Sequence, residues 1–316
     1  MTTWTEYADL LPEPWRSRAS ATPPQESWWR WELHGRPVDV QIARAPRPDA
    51  RVRVMVIHGA GGHSGALWPA AAVLADNGAE PLAPDLPLYG RTRLDEPGRV
   101  RYADWVDLLT DLVIAETDRD PRPLIVFGAS MGGMLAYEVA ARTGRVAAAV
   151  ATCLLDLSGD RAAVRAATRW PLIGQFAPTT LPTIARFVGD VRIPIGWIAP
   201  LDRMSADSRL SRLCATDRRG GGGRVPIGFL ADAMTFAHTP PEEYAGPAVT
   251  LVHPAEDAWT PPALSRRFLD RIAGPTSMHL LDGCGHYPIE RPGIDRLAEI
   301  AAGLARDIGG VAESTA

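Results

Sequence analysis

The chain has 316 residues, of which 46% are hydrophobic and 22% charged, the proportions of an ordinary globular protein. Its 33 Lys and Arg against 37 Asp and Glu leave a net charge of −4, which argues against nucleic-acid and acidic-membrane partners. Three cysteines (Cys153, Cys214 and Cys284), odd in number and without metal-type spacing, exclude a disulfide framework. The N-terminal stretch has no basic region followed by an apolar run, and no segment nears the roughly 18 apolar residues of a membrane span, so the expectation is a cytoplasmic protein.

Residues 1 to about 25 are rich in Pro and Trp and predict a short helix and a packed tail. Trp28 to Leu33 and the alternating Val38–Ile42 read as two strands of a hairpin joined at Gly35-Arg36-Pro37. Short apolar runs then recur at Val52–Ile57, Glu80–Pro84, Leu124–Phe127, Ala147–Leu154, Ala248–Val252 and Ser277–Leu281. Such runs suit strands buried on both faces of a parallel sheet. Helical patterns over about 64–76, 103–117, 131–142, 262–272 and 292–307 separate them. This alternation predicts an α/β layered fold with right-handed crossovers.

Residues 156–244 break the rhythm. A structureless loop that long does not fit a compact domain, so the segment reads as an inserted, mainly helical cap on a core formed by 1–155 and 245–316. The run Gly220–Gly223 within it reads as a mobile loop.

Four motifs carry chemistry. Gly128-Ala129-Ser130-Met131-Gly132 lies between a strand and a helix, the strand–turn–helix setting of a nucleophile elbow. Its small neighbours let strand and helix approach, and the turn presents the Ser130 hydroxyl at the sheet edge. His58-Gly59-Ala60-Gly61-Gly62 follows the strand Val52–Ile57 and exposes backbone N–H groups, which stabilise the negative charge that builds on a carbonyl oxygen during acyl transfer. The N–H groups of Ala60 and Met131 are the candidate donors. His286 lies in a Gly-flanked loop after the last strand, where it can serve as the base that a serine hydroxyl needs. Asp257, after the strand Ala248–Val252, is the candidate acid that orients the imidazole, with Glu256 and Asp156 as competitors. The order Ser, acid, His is that of the strand–turn–helix serine enzymes. The remaining histidines show no metal-ligand spacing. Candidate pocket residues are His63, Tyr89, Trp259 and Tyr287, with His238 a further one.

These pieces, HGAGG at 58–62, GASMGG at 128–133, the Asp257 loop and GHYPIERPG at 285–293, resemble the α/β-hydrolase family over about 28–155 and 245–308. The stretch Asp257–Pro262 and GHYPIERPG look like the monoacylglycerol lipase, lysophospholipase and carboxylesterase group. The resemblance implies a mostly parallel sheet flanked by helices, hydrolysis of a carboxylic ester, and no cofactor; the apolar cap suggests a small or lipid-like apolar substrate, and the spacing predicts no metal. The chain departs from many relatives at Asp85–Thr92, where only Gly90 and the terminal hydroxyl match the usual loop. Thioester, lactone, amide or carbon–carbon cleavage, acyl transfer, a lyase and a non-catalytic binding module stay open, as does assembly into a homo-oligomer.

Overall fold

The computed structural model describes residues 2–174 and 176–314. In the strand β3 (Val52–Ile57) every residue is buried, and its side chains divide between two apolar cores. Met55 and Ile57 enter one, and Val52, Val54 and Val56 the other. β5 (Leu124–Gly128) divides likewise, Leu124 and Val126 against Ile125 and Phe127. A period of two with apolar residues on both sides makes these the central strands of a sheet covered on both faces.

Around them stand β1 (Gln25–Leu33), β2 (Arg36–Arg44), β4 (Ala79–Pro84) and β6 (Ala148–Ala151). Two short strands, β7 (Arg192–Pro194) and β8 (Arg224–Pro226), lie outside the sheet, which β9 (Val249–Pro254) and β10 (Thr276–Leu281) complete. The eight-stranded order is β1-β2-β4-β3-β5-β6-β9-β10. β2 runs antiparallel to β1 and β4, and the remaining pairings are parallel.

Helices α1 (Trp4–Ala8), α2 (Trp15–Ser20), α3 (Ser64–Asp76) and, at the end of the chain, α12 (Gly293–Ser314) feed one core. Helices α4 (Tyr102–Arg119), α5 (Met131–Thr143) and α11 (Pro262–Leu269) feed the other. The N-terminal segment is thus two short helices packed on α3, with Tyr7 and Trp15 buried.

Between β6 and β9 the chain makes a long excursion. It holds α6 (Arg161–Ala167), α7 (Pro171–Gly174), α8 (Ala177–Val188), α9 (Ser208–Thr216) and α10 (Ile227–Ala233). It also contains the antiparallel β7–β8 ribbon, which the expectation of a mainly helical insertion did not include. The glycine run departs from expectation too: it is a packed turn. The Gly220 and Gly222 N–H groups donate to the Asp217 carbonyl at 2.9 and 2.8 Å. A Cβ on Gly220 would lie 2.6 Å from the Gly61 carbonyl oxygen, so the missing side chain permits close approach. Among the described residues no helix is long and apolar enough to cross a membrane.

Candidate active site

β3, β5, β6, β9 and β10 end side by side, and the loops leaving them carry the candidate residues, as in open parallel sheets generally. Only Ala129 and Ser130 separate β5 from α5, so the chain reverses sharply and Ser130 takes φ 56°, ψ −127°. A non-glycine residue at such angles costs of order 1–3 kcal/mol and needs surroundings that over-determine it. The Ser130 N–H donates to Thr152 Oγ1 at 3.0 Å, and the Ala129 N–H to the Ile57 carbonyl at 2.9 Å. Two glycines permit the fit. A Cβ on Gly128 would sit 2.0 Å from the Gly132 carbonyl oxygen, and one on Gly132 would sit 2.3 Å from that of Ile57.

His286, after β10, places Nε2 2.9 Å from Ser130 Oγ and Nδ1 2.8 Å from Asp257 Oδ2. Asp257 follows β9 and is buried in a nest of donors. Its Oδ1 accepts the Trp259 and Thr260 N–H groups, both at 2.8 Å, and its Oδ2 accepts the Thr260 hydroxyl at 2.7 Å. Burial alone would raise this carboxyl. The His286 partner and the Thr260 hydrogen bonds outweigh burial and hold it down at about 2. The ionised acid only accepts, so His286 Nδ1 carries the proton and the Nε2 lone pair faces Ser130. Neither competing acid reaches His286: Glu256 is exposed, and Asp156 Oδ1 is occupied by the Ser158 N–H, the Ser158 hydroxyl and the Gly159 N–H.

The glycine-rich turn after β3 lies against the elbow, so that a Cβ on Gly59 would be 2.9 Å from the Met131 nitrogen. Among the described residues neither the Ala60 nor the Met131 N–H donates to a protein acceptor. His58 braces the turn from below. Its Nε2 accepts the Leu86 N–H at 2.9 Å, which puts the proton on Nδ1 for the Gly59 carbonyl at 2.8 Å. Burial pushes its pKa down to about 4. Tyr89 and Trp105 meet its ring edge-on.

A cavity of about 70 Å³ is lined by Ala60, Ser130, Leu201, Met204, His286 and several further apolar residues. Of the four candidate pocket residues, Trp259 and Tyr287 line it. His63 and Tyr89 do not. His63 is drawn away by Asp217, at 2.7 Å, and Tyr89 is buried between His58 and Trp105. His238 packs in a cluster with Tyr102 and Phe236. A wider surface hollow of about 920 Å³ by Pro23, Arg47 and Arg306 lies at the opposite ends of the strands and holds none of these groups. Trp259 stacks obliquely on the His286 ring, 4.5 Å between centroids, while its indole N–H donates to Ala167 in the excursion at 3.3 Å. Among the described residues no three His, Cys, Asp or Glu groups are placed to hold a metal ion.

Thr152 and Thr260 were not evident from the sequence. Thr260 stands three residues after Asp257, where a carboxylate commonly takes hydrogen bonds from its own turn, a spacing that could have marked it. Nothing local marks Thr152.

This sheet order with a strained serine turn after the fifth strand defines an α/β-hydrolase fold. The chain belongs to the alpha/beta hydrolase family, whose model matches residues 54–299. No curated protein sequence matches it. Among similar solved structures are a soluble variant of monoglyceride lipase from Saccharomyces cerevisiae in complex with a substrate analog (TM-score 0.72, 16% identity, covering 90% of this chain and 95% of that one). A monoacylglycerol lipase from Paleococcus ferrophilus has TM-score 0.64 and 19% identity, covering 86% and 98%. A thermostable carboxyl esterase from Bacillus coagulans in complex with glycerol has TM-score 0.64 and 18% identity, covering 91% and 98%. At these identities the likeness speaks for the fold.

Proposed function

We propose that this protein is a serine hydrolase that cleaves a carboxylic ester through an acyl-enzyme on Ser130. The observation that carries the reading is the unbroken chain from buried Asp257 to His286 Nδ1 at 2.8 Å and from His286 Nε2 to Ser130 Oγ at 2.9 Å, with the serine held in a strained turn. His286 takes the Ser130 proton as the oxygen attacks the ester carbonyl. The Ala60 and Met131 N–H groups receive the developing oxyanion, an interaction worth several kcal/mol in a dry site. His286 then protonates the leaving alcohol, and a water it activates frees the acid. Residues 156–244 act as a cap: Leu201 and Met204 close the cavity, and its apolar lining favours an apolar acyl group. A space of about 70 Å³ holds only a few waters, so substrate entry requires the cap to shift. The lipase and esterase names of the structural neighbours agree with this substrate class.

The test is intact-mass labelling by a fluorophosphonate, on wild type and Ser130→Ala, together with turnover of short- and medium-chain p-nitrophenyl esters. A single adduct lost in Ser130→Ala, with turnover, is the expected result. An adduct without turnover of any ester moves the activity to acyl transfer or another bond. No adduct overturns the reading.

A further inference from the structure

One of the other buried carboxylates, apart from the Asp257–His286–Ser130 chain, ties the excursion to the turn after β3. Asp217, at the C-terminal end of α9, is 1% exposed. Its Oδ2 accepts the Tyr7 hydroxyl at 2.9 Å and His63 Nε2 at 2.7 Å, and its Oδ1 accepts the Arg219 N–H at 3.0 Å. Burial alone would raise its pKa, but the His63 hydrogen bond, foremost among several, holds it below the ordinary carboxylate value. An ionised Asp217 leaves the proton on His63 Nε2. The free lone pair on His63 Nδ1 takes the Gly65 N–H at 3.1 Å and caps α3. Both ring nitrogens are thereby committed, one to the core helix and one to the excursion.

His63 closes the turn that carries Ala60. The residues between the two histidines, Gly59-Ala60-Gly61-Gly62, have almost no side chains to hold them, so their shape is imposed from the ends and from outside. His58 fixes one end through the Leu86 N–H, and His63 fixes the other. The outside contact also hangs from Asp217. Its carbonyl gathers the Gly220 and Gly222 N–H groups, and the turn so formed seats Gly220 and Gly221 on Gly61, which has φ +81°. The Arg219 carbonyl in the same turn accepts the Gly90 N–H at 2.9 Å and ties in the loop after β4.

We propose that Asp217 is a positioning residue for the Ala60 N–H: through His63 and the glycine turn, the excursion completes the oxyanion site. The cap then has two tasks, covering the cavity and shaping the donor that the reaction uses. This rests on the serine-hydrolase reading, in which Ala60 is an oxyanion donor. A misplacement of about 1 Å in such a group costs on the order of a hundredfold in rate, so a loosened turn is read in kcat before it is read in the fold.

Three variants of the full-length protein test it. Asp217→Asn removes the charge that orients His63. His63→Asn keeps a capping side chain for α3 but cannot span to Asp217. Tyr7→Phe removes a different hydrogen bond from the same carboxylate and serves as the control for simple loosening. In p-nitrophenyl butyrate turnover the first two are expected to lose about tenfold to a hundredfold in kcat, with KM within about twofold. Their Ki for an alkyl trifluoromethyl ketone, whose hemiketal oxygen occupies the oxyanion position, should rise by the factor lost in kcat/KM. Tyr7→Phe should match wild type in both. A fall in kcat without a change in Ki, an equal fall in Tyr7→Phe, or no change in any variant overturns the proposal. If Asp217→Asn does not fold, His63→Asn decides. Absence of a fluorophosphonate adduct on wild-type Ser130 overturns the hydrolase reading and this inference with it. A labelled wild type with unaltered variants overturns this inference alone.

Discussion

Replacing Asp257 by asparagine keeps the size and shape of the side chain and removes its charge. The Trp259 and Thr260 N–H groups, both 2.8 Å from Oδ1, hold the amide oxygen on their side. The amide nitrogen must then take the place of Oδ2, facing His286 Nδ1. It donates to Nδ1, which drives the imidazole proton to Nε2, so that Nε2 can no longer accept the Ser130 hydroxyl proton. A wrong tautomer of this kind lowers kcat by roughly 10⁴-fold. Stability changes as well. The carboxyl is held at about 2 against an ordinary 3.8, a shift equivalent to about 2 kcal/mol in favour of the folded state at neutral pH. Because the folded value lies below the unfolded one, this contribution is present above 3.8 and is lost as pH falls toward about 2. Asp257→Asn should therefore be less stable than wild type by about 2 kcal/mol at pH 7, with the gap narrowing below pH 4. The assay is kcat for p-nitrophenyl butyrate, with urea unfolding at several pH values and far-ultraviolet circular dichroism to establish the fold. A folded Asp257→Asn within about tenfold of wild-type kcat would refute the reasoning. An accompanying loss in Asp156→Asn would hand the role to that residue, which should otherwise be silent.

Ser130→Gly relieves the strained φ of 56°, and should gain about 1 kcal/mol in urea unfolding while losing all turnover. A destabilised glycine variant would mean that the serine turn is not strained. His58 is held at about 4 against 6.5, so the unfolded chain takes up its proton first on acidification. The His58 contribution should cost about 2 kcal/mol of stability between pH 7 and pH 5, and His58→Gln should remove that part of the pH dependence in denaturant titrations. Gly132→Ala puts a Cβ 2.3 Å from the Ile57 carbonyl oxygen, and should lower stability by about 2 kcal/mol or more, together with kcat. Thermal unfolding unchanged from wild type would show that the strand and helix can part without cost.

Much of the fold was legible because it rests on short-range rules. The buried runs Val52–Ile57 and Leu124–Gly128 are strands since alternate residues must find apolar cover on two faces. Ser130 stands out because the close packing of strand and helix leaves no room for a Cβ on Gly128, Gly132 or Gly133 around it. The ends of elements were less legible. Of the run Ala147–Leu154 only Ala148–Ala151 is strand, because the chain then turns away into the excursion.

What the sequence alone determined was the sheet, the helices on its two faces, and the order in which Ser130, Asp257 and His286 leave the strand ends. Periodicity, turn sterics and chain order set these, and all three act over a few residues. Tertiary structure decided which carboxylate meets His286, since Glu256 and Asp257 are adjacent acids and the turn buries only Asp257. It also decided that His63 turns from the cavity to Asp217, 154 residues away, and that four consecutive glycines form a packed turn. Such contacts depend on how the excursion folds back over the sheet, and no local pattern encodes the partner on which a distant segment comes to rest.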